Sequence, residues 1–153
     1  MNYNSSSYTY GYTIDMPFEG TVNKEFVGTL SNYLNGFEDL ANVDFKIVEY
    51  PNILELKQAL SHGEIDLAFA NFDPVGVNVD ILTTNSPFKE EYVVLSVEPV
   101  LVNSIRSLKG NDIYTVSNTY LYDYLSQNGI TPKSFDNTDS LLRNIRNESI
   151  VMV

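Results

Sequence analysis

The side chains best placed to do chemistry are carboxylates, amides and hydroxyls that follow strand-like runs. Asp15 ends the run YTYGYTID and precedes Met16-Pro17-Phe18-Glu19-Gly20. Asn71 and Asp73 fall at the end of DLAFANF and just beyond it. Ser117, Asn118 and Thr119 follow DIYTV. In α/β sheets, ligands bind at the C-terminal ends of strands, where loops and helix N-termini converge. That rule puts Asp15, Phe18, Asn71 and Asp73 on the functional edge. Each has a structural alternative. The Asp and Asn side chains suit turns that bond their own backbone, Ser117–Thr119 suits a helix cap, and Phe18 and Phe88 suit a core. Asp15, Asp66 and Asp73 are the candidates for acid–base work, but no spacing in the chain brings them together. The single histidine, His62, sits in a helix-ending turn, and there is no cysteine. Thiol catalysis, disulfides and thiolate metal sites are thereby excluded, and a zinc site would have to rest on carboxylates, which zinc sites seldom do. Phosphate-loop and dinucleotide motifs are absent. The reading is a binding protein without catalysis, cofactor or metal.

The elements that must carry these residues alternate between strand and helix. Pro51–Phe72 is the most legible stretch. Asn52 with Glu55 three residues later has the form of a capping box. Ile53, Leu56, Ala59 and Leu60 recur at helical spacing, and Gly63 suits the left-handed position that ends a helix. The apolar run Asp66–Phe72 is too short for a second helix and reads as a buried strand. Before it, Tyr8–Asp15 reads as a strand, Asn23–Gly36 as a helix with Phe26, Val27, Leu30, Tyr33, Leu34 and Phe37 on one face, and Asp44–Tyr50 as a strand. After it, Asp73–Asn85 reads as loop and Tyr92–Val97 as a strand. A second block follows, with a short helix or turn at Ile105–Gly110, a strand at Asp112–Val116, a helix at Tyr120–Asn128 and a strand at Lys133–Asp136. Its last elements are a helix at Ser140–Asn147, capped by Thr138-Asp139, and a strand at Ser149–Val153. Tyr8, Tyr10 and Tyr12 share one strand face, and are expected to pack under a helix with their hydroxyls reaching solvent. Such alternation implies an α/β fold with mainly parallel sheets.

The 153 residues, 43% apolar, suffice for one ordinary domain or two small lobes. The formal net charge of −11 disfavours nucleic acid and anionic lipid. The excess is uneven, with thirteen acids against four bases in residues 1–90 and seven against five in 91–153. Solubility accounts for it most simply, and a preference for cationic ligands is the sharper reading. No stretch has the length and apolarity of a bilayer span, and no signal peptide is visible at the start.

Four segments in order, YTIDMPFEG, ALSHGEIDLAFANF, NSPFKEEYVVLSV and SIRSLKGNDIYTVSNT, resemble the type 2 periplasmic-binding-protein fold, in the amino-acid-binding branch known as bacterial extracellular solute-binding protein family 3. The second segment is the most specific. The resemblance implies two lobes, 1–92 and 93–153, joined by a hinge near 93–100, that close on a solute by a hinge motion. It also implies that the return crossing completing the first lobe is missing, so that the chain is a fragment or a short member. Mapped residue by residue, the family's ligand-contacting positions fall on Tyr12, Asp15, Ala70, Asn71, Asp73, Asn78, Ser117, Asn118 and Thr119, and Phe18, Ile53 and Phe88 complete the candidate ligand-binding set. Several depart from the family pattern. Asn78 stands where the family has the arginine that clamps the ligand carboxylate, and a neutral amide cannot supply that charge-assisted fork. Asp15 replaces an aromatic, and Tyr12 an acid. Ser117–Thr119 keep the pattern at a helix N-terminus, which favours an anionic group.

The resemblance implies an extracytoplasmic module, periplasmic or cell-surface and membrane-tethered in its parent protein, that captures a small polar, amino-acid-like solute between its lobes for ABC-type import. The expected partners are that solute and a membrane permease or the parent's signalling domains. Alternatives are a ligand-sensing or degenerate domain of a membrane signalling protein, a noncatalytic module of a cell-wall enzyme, or a regulator's effector domain.

Overall fold

Residues 6–69, 71–73, 81–84, 91–145 and 150–152 are described by the computed structural model. They form two compact units, one built from 6–69 and the other from 71–73, 81–84, 91–145 and 150–152.

In the first unit, alternating tyrosines make β1 (Ser6–Tyr12), and a short hairpin follows, β2 (Gly20–Val22) and β3 (Glu25–Val27). Helix α1 (Thr29–Ala41), strand β4 (Val43–Glu49), helix α2 (Ile53–Ser61) and strand β5 (Leu67–Ala68) complete it. The sheet order is β4-β1-β5, with both pairings parallel. Tyr10, Tyr12 and Leu34 form the core on the α1 side, with Phe26, Phe45, Ile47, Leu67 and Phe69 around them. On the opposite face, a Cβ at Gly11 would meet Leu56 and Ile65, so glycine lets α2 and the turn after it lie close to β1.

The Asn52 cap forms as the sequence implies, its side chain accepting the Glu55 amide at 2.9 Å. Gly63 takes a φ of 68°. Other expectations are corrected. The first strand ends at Tyr12, three residues before Asp15. Phe26 and Val27 lie in the hairpin, not in the helix, which starts at Thr29. Gly28, at φ 111°, separates the two elements. Among the described residues of the Asp66–Phe72 run, ladder pairing is confined to Leu67–Ala68.

The second unit has β6 (Val94–Ser96), a 3-10 turn at Ile105–Leu108, β7 (Ile113–Val116), α3 (Tyr120–Gln127), β8 (Lys133–Phe135), α4 (Thr138–Asn144) and β9 (Ile150–Met152). Its sheet order is β6-β9-β7-β8, parallel except where β6 runs against β9. Leu108, Ile113, Leu121, Leu125, Ile130, Ile150 and Met152 make the core. The cap of α4 is Asn137, one residue before the expected Thr138-Asp139, and its side chain accepts the Ser140 amide at 2.8 Å. The architecture is α/β with mainly parallel sheets, as the alternation implies.

Candidate functional site

In the first unit the candidate residues gather where β1 ends. Tyr10 and Tyr12 project to the α1 face and pack on Phe26, with ring centroids 5.9 and 4.5 Å apart. Their hydroxyls do not reach solvent. Tyr10 donates to the carboxylate of Glu19, itself buried at 3% exposure. Burial, and then the Glu19 charge, push the Tyr10 phenol well above its ordinary range. Tyr12 pairs in register with Glu49 across the β1–β4 ladder and donates to its carboxylate at 2.8 Å. The Thr21 hydroxyl lies within hydrogen-bond reach of both the Tyr12 hydroxyl and the same carboxylate. Burial raises the Tyr12 phenol to about 12, the Thr21 bond lowering it and Glu49 adding to the rise. A phenol, a hydroxyl and a carboxylate from β1, β2 and β4 thus share one polar cluster.

Asp15 and Glu19 close a turn. The Asp15 amide donates to the Glu19 carbonyl at 2.8 Å, and the Phe18 and Glu19 amides donate to the Asp15 carbonyl at 2.9 and 3.0 Å. Helix α1 has no side-chain cap. Its first amides, of Thr29 and Leu30, instead donate to the carbonyls of Pro17 and Phe18 at 3.1 and 3.0 Å. The loop that carries Asp15 and Phe18 is therefore anchored to a helix N-terminus, whose orphan N–H groups it satisfies. A Cβ at Gly28 would collide with the Phe18 carbonyl, so only glycine allows this approach. The Phe18 ring lies 6.3 Å from that of Phe69. Ile53 is 1% exposed and serves as a core residue of α2.

In the second unit, β7 delivers Ser117, Asn118 and Thr119 to the start of α3. The Ser117 hydroxyl and amide both donate to the Phe135 carbonyl, at 3.2 and 2.9 Å. Asn118 is exposed and takes a φ of 60°. The buried Thr119 hydroxyl donates to Val116 and accepts the Tyr122 amide at 3.1 Å. The Tyr120 amide donates to the Asn71 carbonyl at 2.8 Å. Asn71 is half-buried and Asp73 exposed. Burial first, and then the Asp73 charge, raise the Tyr120 phenol.

The structure therefore brings Tyr12, Asp15 and Phe18 to one end of the first sheet, and Asn71 and Ser117–Thr119 to the N-terminus of α3, with the exposed Asp73 two residues beyond Asn71. Asn78, Phe88 and the neighbouring Ala70 lie outside the described residues. Sequence reasoning passed over Glu19, Thr21, Glu49 and Phe69. Glu49 carried a signal, because it ends the inward series Val43, Phe45, Ile47, where a fourth apolar residue would continue the pattern. Among the described residues, no group of three or more His, Asp or Glu is arranged to hold a metal ion. Nor is any described helix long and apolar enough to cross a membrane.

No family model matches the chain, and no curated protein matches it. Solved structures do. The arginine-bound form of a truncated arginine-binding protein from T. maritima superposes with a TM-score of 0.73 at 20% identity, over 97% of this chain and 73% of that one. The substrate-binding protein of an amino acid ABC transporter gives 0.70 at 18% identity, over 97% and 70%. The periplasmic domain of B. pertussis BvgS gives 0.74 at 18% identity, over 96% and 30%. The chain has the fold of these type 2 periplasmic binding proteins.

Proposed function

We propose that this chain is an extracytoplasmic, noncatalytic module that binds a small polar solute. The observation that carries the reading is the fold match along 97% of the chain to proteins named for binding arginine or an amino acid transport substrate. The placement of candidate residues supports it, since both units present polar side chains where strands end and helices begin. In this reading the two units act as the lobes of a clamp, and a membrane permease or a signalling protein receives the liganded state. The likeness to a periplasmic domain supports the extracytoplasmic placement, and the transporter likeness supports import.

A ligand that binds the folded state alone stabilises it by about 2.7 kcal/mol at a hundred times its Kd. Thermal unfolding of the full chain in a panel of amino acids, amines, short peptides and sugars should therefore single out one chemical class by a clear upward shift. Cooperative unfolding that no panel member shifts would count decisively against solute binding.

A further inference from the structure

Among the described residues, one buried side-chain polar atom has no hydrogen-bond partner, the hydroxyl of Thr13. Thr13 is 7% exposed and directly follows β1. A shielded hydroxyl left unmatched is costly, and native proteins keep few of them. The sheet fixes where it points. A Cβ at Gly11 would meet Leu56 and Ile65, and Thr13, two residues further on, shares that face. The strand geometry holds this far, since the Tyr50 amide donates to the Tyr12 carbonyl at 2.7 Å. Helix α2 joins two strands that both run parallel to β1, so the helix runs back against them. Leu56 lies level with Gly11. The step of about 6.6 Å from Gly11 to Thr13 is matched by about 4.5 Å back along the helix from Leu56 to Ile53. The Thr13 side chain is therefore aimed at the N-terminus of α2.

That helix end has donors to spare. The first N–H groups of an α-helix have no partner within it. The Asn52 side chain takes the Glu55 amide at 2.9 Å, and the Leu56 amide makes the first bond of the helix, to the Asn52 carbonyl at 3.1 Å. The Ile53 and Leu54 amides have no acceptor among the described residues. We propose that Thr13 and the first turn of α2 form a binding subsite for an oxygen acceptor, the carbonyl or carboxylate oxygen of a small polar solute, with the Thr13 hydroxyl and the Ile53 and Leu54 amides as its donors. The subsite stands at the C-terminal edge of the first sheet, where α/β proteins bind their ligands. It rests on the solute-binding reading for its biological meaning, and names a group that the solute presents. Glu55 lies in the same turn, 3.4 Å from the Asn52 side-chain amide. Its negative charge favours a neutral carbonyl over a carboxylate. The Thr13 hydroxyl is shielded, so an entering oxygen has to displace neighbouring side chains.

Two measurements on the full chain test the subsite, and neither needs the solute. Thr13→Val keeps the shape of the side chain and removes the hydroxyl. If that hydroxyl is held unmatched for a ligand, the variant should melt at the same temperature as the parent or up to about 4 °C higher. A fall of more than about 2 °C would show that an internal water already satisfies it, and would overturn the proposal. In the second, ¹⁵N-labelled protein is titrated with acetamide and with acetate, the bare neutral and charged forms of the acceptor. The Ile53 and Leu54 amides should shift saturably with acetamide and less tightly with acetate. Thr13→Val should weaken both by at least about three-fold, the loss of one hydrogen bond, while Thr13→Ser binds as the parent does. Tighter binding of acetate would overturn the preference for a neutral group and assign the subsite to a carboxylate. No shift with either probe, or equal affinities in Thr13→Val, would overturn the subsite itself. A folded chain that no member of the thermal panel stabilises would instead sink the solute-binding reading, whatever these two measurements give.

Discussion

At the scale of single residues, the most constrained group is the Glu19 carboxylate. It is 3% exposed and accepts the Tyr10 hydroxyl. Removing a donor from a buried acceptor costs about 1–3 kcal/mol, more when the acceptor is charged. Tyr10→Phe should therefore destabilise by that amount in urea unfolding, with little change in secondary structure by circular dichroism. A loss below about 0.5 kcal/mol would mean that Glu19 is satisfied without Tyr10. The raised phenols also set an alkaline limit. Below about pH 10, the ordinary tyrosine value, folded and unfolded chains are both protonated and the full stability is present. Above it the unfolded chain releases its phenolic protons first, so stability falls as pH rises towards the folded value of about 12 at Tyr12. Urea midpoints should decline between pH 9.5 and 11.5, and decline less steeply in Tyr12→Phe. Equal slopes in the two proteins would show that Tyr12 titrates alike in both states.

At the scale of elements, the decisive joint is the one between the Asp15–Glu19 turn and the start of α1. Gly28, at φ 111°, allows the Pro17 and Phe18 carbonyls to take the first helix amides. Gly28→Ala combines a strained backbone with a collision against the Phe18 carbonyl. It should cost at least about 2–3 kcal/mol, whereas Asn52→Ala, which removes a side-chain cap from α2, should cost only about 1 kcal/mol. Denaturant titration of both variants checks the order, and a reversed order would show that the loop is held by something other than this joint. The same two places explain what the sequence made legible. Asn52, Glu55 and Gly63 are local signals, each acting within one turn of helix, and the structure follows them. The hairpin β2–β3 had no such signal. Asn23 and Lys24 turn at φ of 52° and 68° without a glycine between them. Phe26, Val27, Leu30 and Leu34 recur at intervals that a helix also satisfies, so the helical reading ran through the hairpin. The site was legible as positions but not as partners. That Asp15 and Phe18 fall at a strand end follows from punctuation by Pro17 and Gly20, but the bonds between Tyr12 and Glu49 and between Tyr120 and Asn71 depend on tertiary register.

At the scale of the whole molecule, charge is the dominant quantity. The chain carries −11, and thirteen of its twenty acids lie in residues 1–90. Like charges at this density raise the energy of the compact state, and salt relieves it by shortening the screening length from about 30 Å at 0.01 M to about 8 Å at 0.15 M. Raising sodium chloride across that range should therefore raise Tm by about 2–4 °C, equivalent to roughly 1 kcal/mol for a chain of this size. Choline chloride at equal ionic strength should act alike if the cause is screening, and a response to sodium alone would point instead to a specific cation site. Ligand affinity should move the opposite way. If the solute is an amine drawn to this acidic surface, the same salt that stabilises the apo protein weakens binding, because screening removes attraction as well as repulsion. Titrations of an amine selected by the thermal panel, at 0.01 M and 0.15 M salt, would then show affinity falling while Tm rises. An affinity that rose with salt would require a ligand held by apolar contact, with the Phe18–Phe69 pair rather than the carboxylates as its principal support.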